Sequence, residues 1–145
     1  MKKAILLALT IMLSLSSFCQ VFTIKSASLT RTFSDGSKKV YVATVSNREF
    51  ITIKNNVIVY QTSNNTSSKS TFTLTKIVKV EGQRYTFLCD FKIEDGDLQT
   101  DNAVVIEGNF FILCTESTVT KYELSDNLSK KVQSLTTTLP KFSLE

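Results

Sequence analysis

The sequence predicts an all-β domain: a single antiparallel meander barrel of about eight strands, with a two-sheet sandwich as the alternative. Apolar residues recur at every second position through much of the chain after residue 20. Thr, Val, Ile, Phe and Tyr dominate these runs, and such side chains suit a pleated sheet. Short turn-forming segments separate the runs, so consecutive strands should be antiparallel neighbours. A barrel is favoured because closure removes the two free edges of such a meander.

Strands are predicted in order at residues 21–33, 39–46, 49–54, 57–62, 70–80, 84–94, 103–107 and 109–117. The clearest is 84–94, where the alternate residues Tyr85, Phe87, Cys89, Phe91 and Ile93 are apolar and would share one face. Strands 21–33 and 70–80 change phase midway. Each such change predicts either a bulge or two short strands joined by a bend.

Two connections beside these strands have distinctive residues. Asn55-Asn56 fits a two-residue hairpin, because Asn tolerates positive φ. One short C-terminal helix is predicted after a cap at Ser125 or Asp126, and its apolar face would consist of Leu128, Val132 and Leu135. This helix would plug a barrel end or cross a sheet edge. The tail after Pro140 is expected to be loose.

The first nineteen residues have the pattern of a secretory signal peptide. Two lysines precede an apolar run at residues 4–13, which is followed by polar and small residues. The run is shorter than the roughly 20 residues that span a bilayer. We expect cleavage before Gln20 and an exported periplasmic or secreted protein with no membrane span in residues 20–145. Lipid anchoring at Cys19 is disfavoured, because the residue before it is the bulky Phe18.

The composition excludes several classes of function. The chain has 145 residues, which predicts one domain, and it contains no His. Ser-His, Cys-His and His-metal chemistry are therefore excluded. The acidic segment 94–101 misses the spacing of an EF-hand loop, so we expect no metal and no cofactor. Without the leader, 15 basic residues face 13 acidic ones, and a net charge of +2 does not indicate a nucleic-acid partner.

Cys89 and Cys114 are the only cysteines after residue 19. An even pair in an exported protein can form a disulfide, which would stabilise the fold by roughly 3 kcal/mol. If strand 103–107 pairs between the two cysteine strands, their backbones lie about 9–10 Å apart, too far for a disulfide. The sequence leaves open a disulfide or two buried free thiols.

The leading functional hypothesis is a non-enzymatic binding protein that holds a small apolar ligand in the barrel. The candidate ligand-binding residues are Tyr60, Lys76, Tyr85, Phe87 and Phe91. Lys76 shares the parity of the apolar residues in its strand, so an inward ammonium group would meet an anionic head group. If the strand bulges there, Lys76 points to water instead.

Two other functions stay open. A protein-interaction module, such as an inhibitor of a secreted enzyme, would use segments 61–71 and 95–102 to bind an envelope or extracellular protein. A hydrolase would need a pair of carboxylates, for which Asp90, Glu107 and Glu116 are the candidates. A monomer is expected in each case.

The strand pattern resembles a group of short hypothetical exported proteins of Bacteroidetes. The common pattern is a signal peptide that ends before Gln, I-x-I at residues 51–53, a hairpin into a strand that reads V-I-V-Y at 57–60, and Y-x-F-x-C at 85–89. The resemblance covers about residues 49–117 and implies export but no activity. In size and meander the chain also looks like lipocalin-type barrels, although it has no Trp for their G-x-W motif.

Overall fold

The structure, a computed structural model, describes residues 19–45, 49–62 and 69–143. The predicted signal peptide before Cys19 and most of segment 61–71 lie outside these residues. The strands are β1 (Gln20–Thr32), β2 (Lys38–Ala43), β3 (Glu49–Lys54), β4 (Val57–Thr62), β5 (Lys69–Glu81), β6 (Arg84–Ile93), β7 (Leu98–Glu107), β8 (Phe110–Cys114) and β9 (Thr118–Leu124). A short helix, α1 (Ser129–Val132), continues as a 3-10 helix at Gln133–Thr137.

Eight of the strands close into an antiparallel barrel. From β3 to β9 each strand pairs with the next one along the chain, and β1 closes the ring by pairing with both β3 and β9. The barrel prediction is confirmed, and the sandwich alternative is wrong. β2 is not part of the ring, because it pairs only with residues 27–32 of β1 and has no second neighbouring strand among the described residues.

Bulges keep the long strands facing the barrel interior. In β1 the register shifts between Ile24 and Ser26, so that Ala27 is buried after Ile24. In β5 the register shifts twice, between Leu74 and Lys76 and again between Ile77 and Lys79. Of the two alternatives for these phase changes, the bulge is therefore confirmed in both strands, since an extra residue restores the buried face.

Side chains fill the barrel interior. The largest fully buried ones include Phe22, Phe87 and Phe111, together with Ile51 and Ile58. Burial of each such side chain contributes roughly 1.5–3 kcal/mol. Part of this core is a chain of aromatic rings in contact, with centroid separations of 4.9–6.0 Å, which runs through Phe91, Phe72, Phe111, Tyr122 and Tyr60.

The two ends of the barrel differ. The β3–β4, β5–β6 and β7–β8 turns meet at one end, which we call the helix end because α1 covers it. Leu128, Val132 and Leu135 of this region are buried in the barrel core, as the predicted apolar face requires. The hairpins β1–β2, β6–β7 and β8–β9 lie at the other end, which we call the hairpin end.

Four details of the strands and of the C-terminal region differ from the predictions. β9 was not predicted, and β7 begins at Leu98 rather than at residue 103. Neither Ser125 nor Asp126 caps α1; instead Asn127 Oδ1 accepts a hydrogen bond from the Lys130 N–H (3.2 Å). As far as Phe142 the tail is held to β5 rather than loose, because the Phe142 N–H donates to the Ile77 carbonyl (2.7 Å).

Candidate functional site

The five residues predicted to bind a ligand do not line one cavity. Phe87 and Tyr85 belong to the packed core, with 0% and 6% of their surface exposed. Tyr60 and Phe91 are half-buried and pack against the edge of that core. Protein side chains occupy the barrel interior between these residues. The candidate ligand site therefore lies elsewhere in the fold.

Lys76 does not point into the barrel. It lies between the two register shifts of β5 and is exposed. Its Nζ lies 5.9 Å from the ring centroid of Phe142 in the C-terminal tail. The inward-facing interpretation of Lys76 is therefore wrong, and the alternative, a bulge that turns the ammonium group to water, is confirmed.

Cys89 and Cys114 form no disulfide and are free thiols. Their partners on β7 are the consecutive residues Asn102 and Ala103. Consecutive residues of a strand point to opposite faces, so Cys89 lies inside the barrel while Cys114 is half-buried on its outer face. A disulfide is excluded because β7 lies between the two cysteine strands and because the two side chains point to opposite faces of the sheet.

Neither thiol is an activated nucleophile. Burial, with a smaller contribution from the Asp90 carboxylate, raises the pKa of Cys89 to about 12. Burial also raises the pKa of Cys114. The thiolate is the reactive form, and neither thiol has the lowered pKa of a catalytic cysteine.

Of the three carboxylates considered for hydrolysis, Asp90 lies on β6, and Glu107 and Glu116 lie at opposite ends of the barrel. Glu107 ends β7 at the helix end and pairs with Arg84 (Oε2 to Nη1, 2.9 Å). Glu116 lies in the β8–β9 connection at the hairpin end. A glycosidase needs its two carboxyl groups within about 5–10 Å, which opposite barrel ends do not provide. Among the residues that the structure describes, no cluster of three or more acidic or cysteine side chains could hold a metal ion.

A cleft of about 560 Å³ lies at the helix end, between the β3–β4 turn and the C-terminal helical segment. Its apolar lining consists of Ile53, Leu135 and Leu139, of which the first two are buried. Its polar lining consists of Gln20, Lys54, Asn55, Asn56, Lys131, Ser134 and Thr138. This volume lies within the range of about 300–1,000 Å³ typical of ligand sites.

Hydrogen bonds hold the turn side of this cleft in place. Asn55 has a φ of 53°, the positive value that a tight hairpin requires. The Asn56 side-chain Nδ2 donates to the Leu74 carbonyl (2.9 Å), and the Leu74 N–H donates to the Asn56 carbonyl (2.8 Å). The turn is thereby fastened to β5.

The helical side of the cleft is fastened by Ser129, which is 2% exposed. Its Oγ donates to the Gln83 carbonyl (2.7 Å) and accepts from the Gly108 N–H (2.7 Å). One hydroxyl thus joins α1 to both the β5–β6 and the β7–β8 turns. With both sides fixed, the cleft is pre-formed.

The electrostatic character of the cleft is positive. Lys54 and Lys131 contribute two ammonium groups, and the lining contains no carboxylate. The ion pairs found among the described residues, Lys79–Glu81 and Arg84–Glu107, involve neither lysine. An anionic group entering the cleft would therefore meet uncompensated positive charge.

Sequence reasoning missed this cleft because its walls come from separate parts of the chain. The signals that were present, an Asn-Asn hairpin and a lysine-bearing helix, were each interpreted as structural. Lys130, the neighbour of Lys131, lines a different and smaller pocket of about 260 Å³ beside Gln83 and Tyr85.

No helix in the described ranges is long and apolar enough to cross a bilayer. Comparisons with family models, curated proteins and solved structures find no match to this chain.

Proposed function

We propose that the protein binds a small anionic ligand with an apolar portion in the cleft between the β3–β4 turn and the C-terminal helical segment. The observation that carries the proposal is the combination of a fixed recess, an apolar floor and two lysines that pair with no acidic side chain among the described residues. The lining offers ammonium, amide and hydroxyl groups, which suit recognition of an anion.

The chemistry of the lining divides the ligand into two parts. An anionic head group would lie near Lys54 and Lys131, where each charge-assisted hydrogen bond contributes about 1.5–3 kcal/mol. The apolar portion would cover Ile53, Leu135 and Leu139, at about 0.8 kcal/mol for each buried methylene group. A short alkyl carboxylate is the simplest probe with both parts.

The test is calorimetric titration of the protein with alkyl carboxylates of increasing length and with the matching alcohols. We expect the carboxylates to bind at least about tenfold more tightly than the alcohols, which corresponds to about 1.4 kcal/mol. Longer alkyl chains should bind more tightly until the floor is covered. Equal binding of carboxylate and alcohol would contradict the proposed head-group site.

Variants locate the binding position. Lys131→Gln should weaken carboxylate binding by at least about tenfold, whereas the matched control Lys130→Gln should not change it, since Lys130 lines the other pocket. Ser134→Trp should block the cleft while leaving the fold intact, because Ser134 is exposed. Undiminished binding to both Lys131→Gln and Ser134→Trp would refute this cleft as the site.

We also propose that the protein acts outside the cytoplasm, as the leader pattern of residues 1–19 suggests. Cleavage before Gln20 would make a cleft residue the first residue of the chain. N-terminal sequencing of protein isolated from the envelope or medium should begin at Gln20. Recovery of the protein with Met1 in the cytoplasmic fraction would contradict export.

A further inference from the structure

Two oppositely charged hairpins project at the hairpin end, away from the ligand cleft. The basic hairpin comprises residues 27–43 of β1, β2 and their turn. It carries three basic side chains against one acidic one, for a net charge of +2. The acidic hairpin comprises residues 91–102 of β6, β7 and their turn. It carries four acidic side chains against one basic one, for a net charge of −3.

Each hairpin has a strand edge with no partner in the described residues. β2 is the end strand of the sheet order, and all six of its residues are exposed. In β7 the pairing with β8 begins at Ala103, so Leu98–Asn102 extend beyond that neighbour. Unpaired N–H and C=O groups along such edges are templates for pairing with another strand.

Exposed apolar side chains concentrate on the same two hairpins. Of the eleven large apolar side chains exposed in the described residues, six lie here: Phe33, Val40, Tyr41, Val42, Ile93 and Leu98. Val42 is 80% exposed. Apolar surface grouped in this way is typical of a protein interface.

The strand order places the two hairpins on opposite sides of the ring. From β1, β7 is reached through β9 and β8, and β6 is reached through β3, β4 and β5. The basic and acidic hairpins of one chain therefore stand across the barrel from each other. Two copies that face each other at their hairpin ends, however, bring each basic hairpin against the acidic hairpin of the other copy.

We propose that this end of the barrel is an interface with a second copy of the same chain. A two-fold axis between the facing ends forms the basic–acidic contact twice, which closes the assembly as a dimer. It also makes β2 antiparallel to β7 of the second copy, so Lys38 and Lys39 approach the end of β7 that contains Asp101. Tyr41 and Val42 then lie near the second copy's Leu98. This proposed dimer differs from the monomer expected from the sequence.

The test is sedimentation of the purified protein over a concentration series, at low and at high salt. We expect a monomer–dimer equilibrium that weakens as salt increases, because the contact joins exposed opposite charges. A wild-type protein that stays monomeric up to about 1 mM, the limit of weak association, would overturn the proposal.

Charge exchange tests the pairing directly. Lys38→Glu with Lys39→Glu, and separately Asp95→Lys with Asp97→Lys, should each weaken self-association by at least about tenfold, since like charges then face each other. An equimolar mixture of the two variants should restore a dimer, because all contacts become complementary again. Lys130→Glu with Lys131→Glu, an equal charge change at the helix end, is the control and should leave association unchanged.

The outcomes separate clearly. Recovery of the dimer only in the mixture supports the proposal. A dimer that persists in each charge-reversed variant alone uses another surface and overturns it. Circular dichroism of each variant confirms that the barrel is folded. Ligand binding at the helix end should be unaffected in the two hairpin variants, and only the control, which changes Lys131 of the cleft, should lose it.

Discussion

Replacing Ser129 by Ala removes both hydrogen bonds through which its side chain joins α1 to neighbouring turns. The hydroxyl is nearly inaccessible to water, donates to the Gln83 carbonyl and accepts from the Gly108 N–H, each at 2.7 Å. A further hydrogen bond, from the Ser129 N–H to the Gly108 carbonyl (3.1 Å), survives the change.

The expected cost follows from these two bonds. Each contributes about 1 kcal/mol net, and a donor left without a partner away from water costs about 1–3 kcal/mol. We expect Ser129→Ala to lower the free energy of unfolding by about 2–4 kcal/mol. A domain of this size has a total of only about 5–15 kcal/mol, so the loss is a large fraction of the stability.

Urea denaturation followed by circular dichroism measures this loss. The control is Ser134→Ala on the same helical segment. Ser134 is exposed, so its truncation should change the free energy of unfolding by no more than about 0.5 kcal/mol. If Ser129→Ala costs no more than Ser134→Ala, the hydroxyl does not fasten the helix to the barrel, and the helical wall of the cleft is not fixed as we infer.

Raising the pH from 8 to 11 should lower the free energy of unfolding by about 3–4 kcal/mol, because burial raises the pKa of both Cys89 and Tyr122 to about 12. In the unfolded chain Cys89 and Tyr122 lose their protons near pH 9 and pH 10, whereas in the folded chain they keep them until about pH 12. The stability that depends on these protonated side chains is therefore complete below pH 9 and is lost as the pH rises toward 12. Denaturation at several pH values checks this, and Cys89→Ala should reduce the slope; a flat profile contradicts it. In the absence of reductant, a thiol reagent should label Cys114 in the native protein and Cys89 only after unfolding. A Cys89–Cys114 disulfide detected by mass spectrometry would refute the assignment of free thiols. Asn55→Ala should destabilise by about 1–2 kcal/mol and Asn55→Gly by much less, since only glycine tolerates this positive φ freely; equal melting temperatures for the two variants would count against the turn.

Alternation along the strands predicted the antiparallel sheet, and removal of its two free edges favoured the barrel over the sandwich. In β6 the inward residues Tyr85, Phe87 and Cys89 are buried as their shared parity requires. The hairpin at Asn55 has the predicted positive φ. These features could be predicted because they are local: the two-residue alternation of a strand and the residue types of a turn each depend on only a few neighbouring residues.

Alternation did not predict the strand segments that lack a regular apolar face. In β9 the inward parity begins with Thr118 and Thr120 and becomes apolar only at Tyr122 and Leu124, so the apolar period is too short to detect. The first residues of β7 project beyond β8 and are exposed, and an exposed strand has no apolar face to reveal it.

The candidate site could not have been predicted, because it depends on closure of the ring. Gln20, Ile53 and Lys131 line one cleft although they come from the first strand, the β3–β4 hairpin and the C-terminal helix. No spacing in the sequence indicates that these three residues lie close together. The pattern favoured a site in the interior, where the bulk of Phe87 and Phe111 leaves no room.

The seam between the first and last strands has a kinetic consequence. Ser26 Oγ donates to Glu123 Oε2 (3.0 Å) across 97 residues of chain, and this pairing is what completes the ring. The entropy of drawing such distant segments together must be lost before their contacts compensate for it, which slows folding. In a polypeptide synthesised from its N-terminus onward, the ring therefore cannot close until β9, which ends at Leu124, has been made.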